Sequence, residues 1–400
     1  MRRAIDRQFL WLALALAVTC TLGWLFKAHC TIGGWSGGVQ YTTGCYSDAM
    51  PFWGLRGVDK GLIPYLQARM EYPVLTGAQI WAEGAITHGL FGAQARDFQF
   101  LGVVSAVNAL FAGLILWMFW LGGMDRRRLW AWAVAPPLIL YLGHNWDLGA
   151  SALAVGAMLL ARQGRLIAAA ATAALGAAAK LFPVLLLPLI GLGALFGEGD
   201  WQRRLIRAAA CTGAAILAWG AVNLPVALLA PENWSEFYLF SQDRPGTAAS
   251  VWEIAGNLNW WPTGIADRNL YAMLLFVAGA ALIVGLGWRR HRAHLWVLFT
   301  PVLAWFMLSN KVYSPQFDLW LYPVLVMTAP RLWPVAWFVL GDIAAYFAEF
   351  WWFAAMEHAY PSASYTDIAI AAGFRAAAML VIIVDAVRRD PPEWIARRAA

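Results

Sequence analysis

The sequence predicts an all-α, polytopic integral membrane protein, and three observations predict it. Of its 400 residues, 61% are hydrophobic and only 13% are charged, against about 25% charged in water-soluble domains. Apolar runs of spanning length recur along the whole chain. Arginines fall in short clusters between runs instead of forming one stripe, so the formal charge of +6 reads as a topology signal. That scatter excludes a nucleic-acid surface as the reason for the basic balance.

The first run, Phe9 to Phe26, follows Arg2, Arg3 and Arg7 in the manner of a signal peptide. It is long for one and lacks a small-x-small cleavage site, so it is expected to stay as the first helix. Further runs lie near 98–121, 130–143, 145–161, 165–179, 182–197, 208–229, 269–288, 294–309, 316–329, 333–354 and 368–388. Roughly eleven or twelve membrane segments within a single membrane domain over 1–400 result, of which those at Pro136–Pro137 and Pro183–Pro188 are short enough to be broken or re-entrant.

Orientation follows from Lys and Arg placement. A cytoplasmic N-terminus puts Arg126, Arg127, Arg128, Arg162, Arg165, Arg203, Arg204, Arg207, Arg289, Arg290, Arg292, Arg331, Arg388, Arg389, Arg397 and Arg398 in inner loops. With the N-terminal three these are 19 of the 29 basic residues. A multi-pass plasma-membrane protein with both termini cytoplasmic is expected.

Two loops are then large and external, about 28–97 and 231–268. In the first, the stretches "DAMPFWGLRGVDKGLIPYL" and "EYPVLTGAQIWAEGAITHGLF" are too polar to span and read as interfacial amphipathic helices. The second carries Trp234, Trp252, Trp260 and Trp261, an aromatic-belt pattern. Cys20 and Cys211 fall in apolar runs as small buried residues, whereas Cys30 and Cys45 share the first outer loop. The oxidising compartment favours a disulfide there over two free thiols, worth about 3 kcal/mol in the chain-entropy model. It would fix the loop just before Asp48. No cysteine or histidine spacing matches a metal site; His88, His144 and His358 are isolated, and no cofactor motif is present.

Charged groups near the outer face carry the chemistry, since an ionised side chain in hydrocarbon costs at least about 2.5–3.5 kcal/mol and calls for a partner or a wet cavity. Asp48, in "GCYSDAMPFW", is an acid stranded beyond the first span. Lys180, at the helix break made by Pro183, is either a snorkelling lysine or a phosphate ligand. Lys311 has the same two readings, in a polar turn with Asn310, Tyr313, Ser314 and Gln316. His144, Asn145 and Asp147 share one short outer turn, where Asp147 either caps the next helix or serves the site. Glu71, before Tyr72, is a helix N-terminal acid or a ligand for a substrate hydroxyl; Arg56 and Arg69 flank the same loop and suit phosphate. Arg375, Asp342 and Glu349, in late spans, are expected to pair with one another. An acid near cations at a membrane face suggests group transfer from a lipid-linked donor.

The ordered blocks "YSD", "EYPVLTG", "NWDLGA", "KLFPVLLLP" and "SPQFDLWLYP" span most of the chain. Together they resemble the polyprenol-phosphate-mannose-dependent mannosyltransferases of actinobacteria, within the C-type (GT-C) glycosyltransferase superfamily. Region 231–268 matches nothing in that family. The resemblance implies a GT-C fold and a transferase that moves a hexose, mannose above all, from a polyprenyl-phosphate donor to a hydroxyl of a lipid or glycan acceptor in the cell envelope. It implies Asp48 as catalytic base, Lys180 and Lys311 near the donor phosphate with His144 beside them, and the Glu71–Tyr72 block with Arg56, Arg69, Asn145, Asp147 and Gln316 toward the acceptor and sugar. A nucleotide sugar is not implied, and the chain has neither a Rossmann-like segment nor an Asp-x-Asp motif. The other class in view is a lipid or sugar transporter, which would show internal repeats and midplane charges; no repeat is found.

Overall fold

The computed structural model describes residues 5–31 and 34–396. Arg2, Arg3, Arg397 and Arg398, counted above among the inner charges, lie outside the described residues. The described chain is helical and forms no strand. Six helices are long and apolar enough to cross a membrane: Arg7–Ala28, Asp97–Leu121, Trp201–Leu229, Ile265–His291, Trp333–Met356 and one that begins at Tyr365. The chain is a membrane-embedded helical protein. Shorter apolar helices, Leu148–Arg162, Leu166–Ala179, Leu186–Leu195, Phe299–Ser309 and Asp318–Thr328, fill the space between them. Each is shorter than a usual span, so by length and composition six of the eleven or twelve predicted segments stand as membrane-crossing helices.

Prolines set several breaks. The predicted run at 130–143 is two helices, Arg126–Ala133 and Pro136–Tyr141, because the paired prolines can only start a helix. Pro183 turns the chain into a tight 3-10 segment, Phe182–Leu185, directly after Lys180. In the first outer loop, the stretch expected as one amphipathic helix yields only Ala49–Leu55. Gly57, in left-handed backbone (φ 65°), separates it from a 3-10 turn at Val58–Lys60, which the left-handed Gly61 (φ 68°) ends. The second stretch does form a helix, Val74–Phe91.

The arginine clusters gather at one end of the bundle, and two of them open helices behind a capping aspartate. Asp125 accepts from the Arg128 amide at 3.2 Å and Asp200 from the Arg203 amide at 2.9 Å, starting two helices. Arg128 donates to the carbonyls of Val326 and Ala329, and Arg162 to those of Gly122 and Trp394, covering helix C-termini. Arg331 pairs with Asp385 at 2.6 Å and Arg290 with Asp390 at 2.7 Å.

A charged cluster lies at the middle of the late helices, and it corrects the expected pairing. Arg375 pairs with Asp318 (Nη1–Oδ2, 2.8 Å), not with Asp342 or Glu349. Tyr313 donates to the other Asp318 oxygen at 2.5 Å, and Tyr141 donates to Asp342. The charges therefore do not all sit at the outer loops. Arg375 is 2% and Asp318 0% exposed, so the pair is sealed and clamps the Asp318–Thr328 helix to the one that begins at Tyr365. The backbone of Arg375 passes so close to Gly341 that a Cβ there would stand 2.7 Å from its Cα, and only glycine permits that crossing.

The other end carries the large loops. Residues 231–268 fold as helices Pro231–Asp243 and Val251–Asn257. Their tryptophans are not one belt: Trp252 is buried and donates to the Ser309 carbonyl at 2.8 Å, whereas Trp260 is 74% exposed. Cys30 and Cys45 are joined in a disulfide with their Cα atoms 6.4 Å apart, closing the loop that leads to Asp48. Cys20 and Cys211 are buried.

Candidate functional site

Asp48 is positioned by backbone before side chain. Its amide donates to the His144 carbonyl at 2.9 Å, and the preceding Ser47 hydroxyl donates to the Gly143 carbonyl at 2.5 Å. Asp48 opens the Ala49–Leu55 helix without capping it, so its carboxylate is free to point elsewhere. It points into a cavity of about 850 Å³ at the loop-bearing end of the bundle.

Asn145 holds that carboxylate. Its Nδ2 donates to Asp48 Oδ2 at 2.5 Å and lies 2.6 Å from the Tyr72 hydroxyl, which itself reaches Oδ2 at 3.5 Å. Asn145 is held in turn by Lys180, whose Nζ donates to its Oδ1 at 2.9 Å. Lys180 is buried, 3.2 Å from Asp147 and over the Tyr72 ring at 4.1 Å. It does not snorkel. Asp147 makes no cap bond to the Leu148–Arg162 helix; it takes Lys180 and the Trp320 indole N–H at 2.7 Å instead.

Beneath this layer lies a residue that the sequence reading missed, Lys27. Fully buried at the end of the first helix, it donates to the Gly44 carbonyl at 3.1 Å and the Tyr346 hydroxyl at 2.5 Å, and its Nζ stands 3.2 Å from His144 Nδ1. Burial first, then the nearby Lys27 and Lys180 ammoniums, drive His144 well below its ordinary value. A neutral imidazole adds no positive charge to the cavity; what His144 offers a phosphate is a hydrogen bond.

Enclosure by the cavity walls raises the Asp48 carboxyl, and Tyr46, Lys180 and Asn145 oppose this by favouring the ionised form. Arg56 and Glu71 both line the cavity but are committed to each other through two 2.6 Å bonds. Glu71 precedes the Val74–Phe91 helix and does not cap it. Arg69 is exposed, pairs with Glu236 and is not among the cavity residues. Lys311 and Gln316 line the far wall, with Lys311 Nζ donating to the Gln242 carbonyl at 2.6 Å.

Arg244, unnoticed in the sequence, also lines the cavity and makes no ion pair among the described residues. It follows the Pro231–Asp243 helix, and the Arg-Pro-Gly sequence in "QDRPG" was the one available signal. With Lys180 bonded to Asp147, Lys311 and Arg244 are the cavity cations not matched by a carboxylate. Phe182, Phe317 and Trp320 stack into an apolar floor, with Phe182 and Trp320 centroids 4.8 Å apart. The sole grouping of metal-ligand types among the described residues, His29 with Cys30 and Cys45, has both thiols consumed in the disulfide.

No family model matches the chain, and no curated protein matches it in sequence. The geometry therefore carries the functional reading.

Proposed function

We propose that this chain is a membrane glycosyltransferase of GT-C type that moves a hexose, mannose by its resemblance, from a polyprenyl phosphate to a hydroxyl of a lipid or glycan acceptor. The observation that carries this reading is one cavity that presents an oriented carboxylate, Asp48, together with two unmatched cations, Lys311 and Arg244. Asp48 takes the proton of the acceptor hydroxyl as its oxygen bonds to the anomeric carbon. The bond from that carbon to the phosphate oxygen breaks, and the electron pair leaves with the polyprenyl phosphate. Attack opposite the leaving group inverts the centre, for which one base suffices. Lys311 and Arg244 stabilise the charge that grows on the phosphate. Lys180 and Asn145 act on Asp48 as positioning residues, and Tyr72 closes the acceptor side.

The arginine-rich end is assigned to the cytoplasm by the distribution of basic residues, and the cavity to the outer face. Cysteines placed at Leu55 and at Arg165 should react with an impermeant thiol reagent only from the outer and inner sides respectively. Labelling in the reverse sense would overturn the scheme. The reaction itself is tested in membranes given radiolabelled polyprenyl-phosphate-mannose or a nucleotide sugar. Transfer is expected from the first alone, and transfer from the second would reject the donor class.

The cations have separable signatures. Lys311→Gln and Arg244→Gln should each lower kcat/KM for the donor about 30- to 1000-fold, the range set by losing about 2–4 kcal/mol of oxyanion stabilisation. The acceptor KM should stay near wild type. Lys180→Gln should instead lower kcat for every donor–acceptor pair, because it loosens Asn145 and Asp48. Wild-type donor kinetics in both the Lys311 and Arg244 variants would remove the phosphate from this wall.

The pH profile carries a sign. Only ionised Asp48 accepts a proton, so activity rises with pH through its pKa. Because the cavity raises that value, the acid limb of kcat/KM should lie above the ordinary carboxylate range near ~4. A profile flat down to that range would separate Asp48 from the base role.

A further inference from the structure

Six carboxylates are buried among the described residues, and five of them are bonded. Asp318 meets Arg375, Asp342 meets Tyr141, Asp147 meets Lys180, Asp385 meets Arg331, and Glu83 accepts from Trp146. Glu349, 3% exposed, is the sixth; it forms no hydrogen bond and no ion pair among the described residues. The reason is its direction: the side chain lines the cavity, beside Phe350 and Phe353 of the same helix. Arg375, the cation whose charge reaches it, is already committed to Asp318. Buried polar groups are hydrogen-bonded in nearly every folded protein, so a buried carboxyl facing a cavity takes its partner, a water or a ligand, from outside the chain.

The surroundings define that partner. Lys311 and Arg244 already give this cavity unmatched positive charge, which disfavours a cationic ligand. The Phe350, Phe353 and Tyr41 rings, with Tyr41 and Phe353 centroids 5.5 Å apart, offer apolar faces beside the acid. A carboxyl next to aromatic faces suits a pyranose, which presents hydroxyls at its rim and C–H groups on its face.

We propose that Glu349 binds the hydroxyls of a hexosyl group, which makes the Glu349–Phe353 side of the cavity a sugar subsite. This specificity role rests on the glycosyl-transfer reading of the cavity and is tested without transfer. Purified wild type, Glu349→Gln and Glu349→Ala are titrated with an alkyl mannoside, which carries no phosphate, and with a short-chain prenyl-phosphate-mannose. Gln keeps the shape of Glu and removes its strongest acceptors, so it should weaken binding about 10-fold, and Ala about 10- to 100-fold. Melting temperature and elution volume identify any variant that fails to fold; if Ala does, Gln decides. Loss confined to the alkyl mannoside assigns the subsite to the acceptor sugar, and loss confined to the prenyl phosphate assigns it to the donor sugar. Wild-type affinity for both probes in the Gln variant, or no binding of either by wild type, would overturn the inference. Glu349-dependent sugar binding in a chain that transfers nothing would instead reject the proposed reaction and leave the subsite standing.

Discussion

Replacing Asp48 by Asn is expected to stop glycosyl transfer, with a loss of about 10²- to 10⁴-fold, the contribution of a positioned general base. The substitution keeps the size of the side chain and removes its ability to accept a proton. Backbone anchoring should survive, since the Asp48 amide and the Ser47 hydroxyl make the bonds to the 143–144 segment. The thermal unfolding transition should therefore stay close to wild type, and removing a charge from an enclosed site does not weaken the fold. The measurement is initial rate against donor concentration in membranes carrying equal amounts of each protein. Near-normal turnover would remove Asp48 from the reaction and leave Glu349 as the cavity carboxylate to test next, because Glu71 is bound to Arg56.

Breaking the buried clamp should have an effect of similar size on stability. Arg375→Met leaves Asp318 uncompensated inside the bundle, which costs about 3–5 kcal/mol. The variant should lose its melting transition at markedly lower temperature in detergent. Arg375→Met combined with Asp318→Leu should recover much of the loss, because a matched apolar pair needs no counter-charge. A single variant that melts like wild type would show that the pair contributes nothing to holding the late helices together. Transfer by whatever protein remains folded should be little changed, since neither residue lines the cavity.

The class of the protein was legible in composition, and several elements were legible in detail. The predicted runs at 165–179 and 333–354 match helices Leu166–Ala179 and Trp333–Met356, because long apolar runs have few alternatives. The grouping of Asp48, Tyr72, Asn145, Lys180, Lys311 and Gln316 around one cavity follows from their shared place in loops on one side of the spans. What stayed hidden depended on partners distant in sequence. Nothing near Arg375 says that Asp318, 57 positions away, takes its charge in preference to Asp342. Glu349 reads like any acid in a late span until its neighbours are known to be occupied. Lys27 reads as a helix-end lysine, yet its ammonium is buried under the loop that carries Asp48. Hydropathy alone does not separate a helix that crosses lipid from a short one enclosed by other helices, so by length only six of the predicted segments stand as spans.

Two of the long helices keep a broad face outside the bundle. Only 6% of the residues in the apolar window of Trp201–Leu229 and 17% of those in Ile265–His291 are fully buried, although the first packs along Leu166–Ala179. The first of them continues into the Pro231–Asp243 helix, which ends at Arg244 and supplies the Gln242 carbonyl that Lys311 holds. Acyl chains are therefore neighbours along the open face of the helix that sets where these two cations stand. Helices in this situation tilt to match the hydrocarbon they sit in. The thickness of the surrounding bilayer thus becomes a determinant of charge spacing, and the same chain in a thinner membrane presents the same residues in a different register.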